Sequence, residues 1–276
     1  LVSLMWGATA PAIKYVCAWL QPFDLFFLRA GGAAALFAIV MILRAQDGMP
    51  QNWRDAVGMI FLGLCGSTLM NIALAEGQRR MPVSIVTLVV TTNPIWTALI
   101  AAAIGQERLT PRSIGGIGVA TLGFLLVLSQ RRGMDFGDAD GHLIGMLILS
   151  LAPLSWAMYT VFSKPYLERY DPIQIASWTA ITGLLCATPL LVIDRGISGR
   201  IEALPREGWP SVLFLAIGGY FLASLLWCRG LQVLSASQAA VYVYLVPLFG
   251  TVFAWIWLDE PITPRFVLGA AVVIAG

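Results

Sequence analysis

The stretch NPIWTALIAAAIGQERLTPR, residues 93–112, decides how the chain is read, because it returns as VPLFGTVFAWIWLDEPITPR, residues 246–265. Pro94 matches Pro247, Glu107 matches Glu260, and Thr110-Pro111-Arg112 matches Thr263-Pro264-Arg265. Each copy is an apolar run, a short polar turn carrying a Glu, and a new apolar run opened by Pro. At the same offset of 153, Gly77 aligns with Gly230, Ser84 with Ser237, Gly116 with Gly269 and Gly123 with Gly276. Toward the N-terminus an offset of 150 aligns Trp6 with Trp156, Lys14 with Lys164 and Pro22 with Pro172. Self-similarity at a fixed offset is the mark of a duplicated unit.

The 276 residues are 58% hydrophobic and only 12% charged, with a mean hydropathy of +0.80. Soluble domains carry about 45–50% apolar and about 25% charged residues. One globule cannot hide that much apolar surface, so lipid must cover much of it. Disorder, a disulfide scaffold and a cytosolic enzyme are excluded. The net charge is +2 with scattered basic residues, so no nucleic-acid surface is expected. Cys17, Cys65, Cys186 and Cys228 each lie in apolar sequence without CxxC spacing and read as small apolar residues.

A membrane-crossing helix needs about 20 residues. Ten apolar segments of that order can be marked: 1–20, 23–44, 56–77, 82–105, 111–130, 143–164, 172–193, 208–229, 236–258 and 262–276. They are continuously apolar rather than alternating, which excludes a β-barrel. The polar stretch QRRGMDFGDADGH, residues 130–142, splits them five and five. The expected fold is all-α, a polytopic membrane protein of ten transmembrane helices, with a first repeat over 1–130, a central loop over 131–142 and a second repeat over 143–276. Five is odd, so the second repeat is expected upside down, related to the first by an axis in the membrane plane. A solute site is then expected near the midplane between the halves. Leu1 opens directly on an apolar run, and the repeat places the start of the first helix before it. Basic residues divide almost evenly between the two sets of loops, so charge bias does not orient the chain.

The motifs carry a resemblance. Trp6-Gly7, Lys14, Pro22 and Arg29, then Asn93-Pro94, Gly105-Gln106-Glu107-Arg108-Leu109-Thr110, Gly116 and Gly123, with the echo Pro247, Leu258-Asp259-Glu260-Pro261-Ile262-Thr263 and Gly269, resemble the drug/metabolite transporter superfamily in its EamA-type ten-helix branch. The resemblance covers the whole chain. It implies a transporter of small organic solutes in the cell's inner membrane, with both termini cytoplasmic. Around Trp6 to Tyr15 and Asn93 to Gly123 the chain is most similar to bacterial exporters of aromatic amino acids. Ala157 stands where the first half has Gly7, and Thr179 where it has Arg29, so a role for Arg29 is not symmetric.

Enzyme chemistry has little to work with. His142 is the single histidine, and HExxH, P-loop and CxxC patterns are absent. No cofactor or metal site is expected. All fifteen acids lie at segment edges or in loops, where a proton relay would want one at the bilayer centre. Uniport is therefore expected. Glu76 is the one candidate relay, against an interfacial ion pair with Arg79 or Arg80. Lys14 and Arg29 either snorkel to headgroups or complement a substrate carboxylate or a gate ion pair, with Asp24 within reach of Lys14.

The expected solute site is aromatic. Trp96, Trp156, Tyr159, Tyr242 and Tyr244 fall in mid-span, and Trp156 and Tyr159 share a helix face. Buried indole N–H and phenol O–H groups need partners, which a hydrated cavity supplies. Rings there stack on a planar solute and attract an ammonium, by roughly 0.5–2 kcal/mol. The alternative for each is packing or lipid contact. Asn71, Thr91, Thr92, Asn93 and Gln238 add uncharged polar groups at depth, suited to a zwitterion. Pro94 and Pro247 are expected to free a carbonyl one turn earlier or to act as hinges, and Pro153 to break the sixth span. Gly31-Gly32 and Gly115-Gly116-Ile117-Gly118 are expected to allow close helix packing. The solute expected is an aromatic or hydrophobic amino acid, exported by alternating access; a hydrophobic drug or other metabolite, with proton coupling, is the alternative. Partners are the solute and the lipid bilayer, the chain being a monomer or a weak homodimer.

Overall fold

A computed structural model describes residues 1–44, 50–80, 86, 89–128, 139–193, 197–258 and 264–275. The polar stretch 130–138 and the second-repeat turn 259–263, with Glu260, lie outside the described residues. All regular structure among the described residues is helical. We number the helices α1 Val2–Val16, α2 Pro22–Leu43, α3 Trp53–Gly63, α4 Met70–Arg80, α5 Asn93–Ala103, α6 Pro111–Leu128, α7 Ala139–Leu167, α8 Pro172–Ala187, α9 Pro189–Ile193, α10 Ile197–Glu202, α11 Trp209–Phe214, α12 Ala223–Val233, α13 Ala236–Val241, α14 Leu245–Leu258 and α15 Pro264–Ala275. A π-helical segment, Leu64–Leu69, joins α3 to α4, and another, Leu215–Leu222, joins α11 to α12.

Helix starts follow from local chemistry. Pro22 occupies the first turn of α2, where its missing N–H costs nothing. Gln21 and Asp24 close a reciprocal capping box there. Asp171, Pro172 and Gln174 do the same for α8, with the acid moved to the cap position. Gly105, at φ 75°, ends α5 in the left-handed conformation that glycine adopts without strain. The N–H groups of Gln106 and Glu107 then return to the Ala101 carbonyl.

Among the described residues, six helical stretches are long and apolar enough to cross a membrane: Pro22–Leu43, Trp53–Gly77, Ile144–Leu167, Pro172–Leu191, Arg206–Val233 and Ala236–Trp257. Shorter apolar helices, Asn93–Ala103 and Phe266–Ala275, accompany them. Packing partners exchange under the sequence offset. α1 packs on α14, and its counterpart α7 packs on α5. α2 packs on Leu215–Leu222, and its counterpart α8 packs on α3 and Leu64–Leu69. α2 also meets α8, and α6 meets α15.

Three local expectations are corrected. Pro153 does not break its span, since α7 runs through both Pro153 and Pro165. Pro94 and Pro247 are not kinks inside helices. Pro94 stands in the first turn of α5, after a turn at Thr91-Thr92. Pro247 stands in the first turn of α14, after the 3₁₀ turn Tyr242–Tyr244. The first span is thus interrupted and restarted at Pro94, whereas Ala236–Trp257 stays helical throughout and tightens to a 3₁₀ turn just before Pro247. Finally, Gly31, Gly115 and Gly118 face open space. Gly32 does approach α11–α12, a Cβ there falling 3.0 Å from Ala216 Cβ. The tight α6–α15 crossing uses Gly123, where a Cβ would sit 2.5 Å from the Val273 nitrogen.

Buried charge sits at helix starts. Asp24 is fully buried and takes two hydrogen bonds from Arg200 of α10, both 2.7 Å. Lys14 therefore does not pair with Asp24; it is an exposed residue near the end of α1. Asp55, in the first turn of α3, accepts from Arg169 at 3.0 and 3.2 Å and from the Tyr170 hydroxyl at 2.7 Å. Glu76 pairs with Arg80 at 3.2 Å on the surface, as the ion-pair reading expects. Glu107 accepts the Ser237 N–H at 3.2 Å, tying the first motif to α13. Lys164 donates to the carbonyls of Leu231 and Leu234 at 2.8 and 2.6 Å and so caps the end of α12.

Candidate solute-binding cavity

A cavity of about 250 Å³ lies among helices of both halves. Drug-sized pockets run to about 300–1,000 Å³, so the space suits one small solute. Its aromatic wall is built where α1, α7 and α12 meet. The rings of Trp6, Trp156 and Trp227 form a triangle, with centroids 5.4, 5.4 and 5.6 Å apart. Tyr159 lies against Trp156, with centroids 5.0 Å apart and planes tilted by 46°. Trp6 and Trp156 line the cavity and Trp227 backs them.

The two π-helical segments position this wall. A π turn shifts the hydrogen-bond ladder and leaves groups for other partners. Trp6 Nε1 donates to the carbonyl of Gly219, inside Leu215–Leu222, at 3.1 Å. Next to it, the Tyr220 hydroxyl bonds the Ser67 hydroxyl of the other π segment at 2.6 Å. Gly66 and Gly219 are equivalent at the offset of 153, and both line the cavity. A Cβ on Gly66 would fall 2.6 Å from the Tyr159 ring, and one on Gly219 would fall 2.6 Å from Thr9 Cγ2. Thr9 and Tyr159 are themselves equivalent at the offset of 150.

The polar wall is small. Arg29 of α2 reaches the cavity, and its Nη2 donates to Asn71 Oδ1. Asn71 is held in turn by its own donation to the Ser67 carbonyl at 2.7 Å. Asn93 donates to the Pro153 carbonyl at 3.1 Å. That carbonyl can only accept, so the amide nitrogen must face it and Oδ1 must face away. Oδ1 of Asn93 and Nε of Arg29 are enclosed and have no hydrogen-bond partner. Among the described residues, no Asp or Glu lines the cavity.

Of the sequence candidates, Asn71, Asn93, Trp156, Tyr159, Pro153 and Arg29 line this space. The others lie elsewhere. Trp96 faces outward, 37% exposed, beside Ile95 and Leu99. Tyr242 is 51% exposed. Tyr244 is buried against α6 and α15, with its hydroxyl 2.8 Å from Thr121 Oγ1. Gln238 caps α13 through Ser235 on an exposed turn. Thr92 bonds the Val89 carbonyl at 2.7 Å, and Thr91 is buried away from the lining. Lys14, Glu76, Pro94 and Pro247 also stand outside the wall. Lining residues missed include Trp6, Thr9, Gly66, Thr179, Gly219 and Tyr220. Applying the offset of 150 to Trp156 and Tyr159 points directly to Trp6 and Thr9.

The pattern of the EamA-like transporter family matches residues 1–129 and again residues 143–276. The chain belongs to the EamA-like transporter family. An uncharacterized transporter of Archaeoglobus fulgidus is 28% identical over 100% of this chain and 94% of its own length. The uncharacterized transporter YyaM of Bacillus subtilis is 27% identical over 99% of this chain and 89% of its own. A probable terminal-alkyne amino-acid exporter of Streptantibioticus cattleyicolor is 27% identical over 100% of this chain and 89% of its own. One solved crystal structure shares the fold with a TM-score of 0.78, at 22% identity, covering 99% of this chain and 91% of that one. This EamA-like protein is thus a membrane transporter, and the resemblance read from its motifs stands at the level of family and superfamily.

Proposed function

We propose that this EamA-like protein exports aromatic and hydrophobic amino acids by alternating access around the cavity between its halves. The observation that carries the reading is the wall of Trp6, Trp156 and Tyr159 in that cavity, backed by Trp227. Such a wall stacks on a planar apolar side chain and attracts an ammonium. The name of the Streptantibioticus relative, an amino-acid exporter, points the same way. Two inverted five-helix halves give one gate on each face of the membrane. The double family match and the exchange of packing partners support that arrangement. Uniport fits a wall in which, among the described residues, no carboxylate stands ready to carry a proton.

The test is counterflow in proteoliposomes preloaded with L-phenylalanine, L-tryptophan or L-leucine. Labelled solute should accumulate transiently above the level of empty vesicles. Counterflow equal to that of empty vesicles for all three removes the substrate assignment. A proton ionophore should leave net efflux unchanged; a collapse of transport on adding it would favour the proton-coupled alternative.

A further inference from the structure

We infer that Arg29 is the anchor for a carboxylate on the transported solute, so that the cavity selects anionic or zwitterionic aromatic compounds and rejects aromatic amines. The inference rests on reading the cavity as the transport site, and three observations lead to it.

The duplication leaves the cation and both amides on one side. Arg29, Asn71 and Asn93 line the cavity from the first half. Their counterparts at offsets of 150 and 153 are Thr179, Ser224 and Val246, which line it from the second. One wall carries a cation and two amides, and the equivalent positions of the other carry none. A solute matching both has a polar, acidic head and an apolar body.

Arg29 is also underused. A guanidinium carries five N–H donors. Among the described residues its single hydrogen-bond partner is Asn71 Oδ1, and its Nε is enclosed without an acceptor. The buried acids Asp24 and Asp55 each have a guanidinium at 3.0 Å or less; Arg29 has no carboxylate within ion-pair distance among the described residues. An unpaired charge away from water is costly, and the cost falls when an anion enters. The planar fork fits a carboxylate with two parallel hydrogen bonds.

Asn71 explains why the fork stays pointed at the cavity. Its Nδ2 is fixed on the Ser67 carbonyl of the π segment, which turns Oδ1 toward Arg29. Asn71 is thus a positioning residue. For an ammonium the wall offers the indole faces and the orphaned Asn93 Oδ1, so an ammonium is tolerated beside a carboxylate. Alone, it brings no carboxylate to neutralise Arg29, and the charge repulsion weakens its binding.

Binding of three phenyl compounds to the purified full-length protein, read by its intrinsic tryptophan fluorescence, tests this. L-phenylalanine and 3-phenylpropionate should give saturable changes; phenethylamine should bind at least about tenfold more weakly, since charged hydrogen bonds are lost. Arg29→Gln should remove the response to 3-phenylpropionate. Asn71→Asp should remove it as well while leaving the unfolding temperature at or above wild type, because the new carboxylate occupies Arg29 in place of the solute. Should Arg29→Gln fail to fold, Asn71→Asp decides, and binding by Asn71→Asp at wild-type strength overturns the inference. Phenethylamine binding as tightly as L-phenylalanine overturns it too, while leaving amino-acid export standing. Binding of 3-phenylpropionate without L-phenylalanine upholds the carboxylate anchor and overturns amino-acid export. No response to any of the three overturns both.

Discussion

Trp6 and Trp156 meet edge to face, with ring centroids 5.4 Å apart and planes at 75°. The two are separated by 150 residues and hold equivalent places in the duplicated sequence. A residue pair that marks the repeat is therefore also a pair that lines the cavity. Trp156→Ala should lower counterflow of L-phenylalanine by about tenfold, from loss of ring contacts worth roughly 0.5–1.5 kcal/mol apiece. Trp156→Phe should keep most of it. Size-exclusion profiles of the detergent-purified variants check that both fold; full transport by a folded Trp156→Ala would reassign the ring to packing.

The glycines beneath those rings set the approach of the π segments. Gly219→Ala places a methyl 2.6 Å from Thr9 Cγ2, which should cost about 1–3 kcal/mol. Thr9→Ser removes that Cγ2, so the Gly219→Ala/Thr9→Ser pair should recover most of the loss. Gly66→Ala meets the Tyr159 ring instead and should not be relieved by Thr9→Ser. Thermal unfolding of the single and double variants measures the coupling.

The two buried aspartates differ in how much their arginines matter. Asp24 is fully buried, and the Arg200 side chain is 26% exposed. Arg169 is 47% exposed, and Asp55 keeps the Tyr170 hydroxyl and the Asn52 amide when it is gone. Arg200→Gln should therefore destabilise by about 3 kcal/mol, since among the described residues it leaves a fully buried carboxylate with the Gln21 N–H alone. Arg169→Gln should cost about 1 kcal/mol or less. Equal unfolding temperatures for the two variants would contradict this account of the pairs.

The inverted arrangement proposed for the halves predicts that the repeated Thr-Pro-Arg segments face opposite sides. In a cysteine-free background, Arg112→Cys and Arg265→Cys should react with an impermeant maleimide from opposite faces of the membrane. Labelling of both from one face would remove the inverted arrangement and the two-gate mechanism with it.

Much of this was legible in the chain. Apolar runs located the helices, and the twin motifs revealed the duplication, because lipid-facing surface needs long unbroken hydrophobic segments. The inner faces were harder to read. Trp96 and Trp156 both fall mid-span, yet one faces outward beside Ile95 and Leu99 and the other faces the cavity. A helix that is apolar all round carries no polar stripe to say which side is which. Pro94 and Pro247 misled for a related reason. A proline in mid-span kinks one helix or starts another, and only the turns at Thr91-Thr92 and Tyr242–Tyr244 distinguish the two. The π segments LCGSTL and LAIGGYFL leave no compositional trace. The offset of 153, which joins Gly66 to Gly219, was the available clue to them.

The central claim is that a solute sits in the cavity against the two repeat-related indoles. A density map of the protein in nanodiscs with saturating L-phenylalanine tests it most directly. The account predicts added density bounded by Trp6, Trp156 and Tyr159, with its polar end toward Arg29. Added density elsewhere, with this cavity unchanged from the ligand-free map, would contradict it.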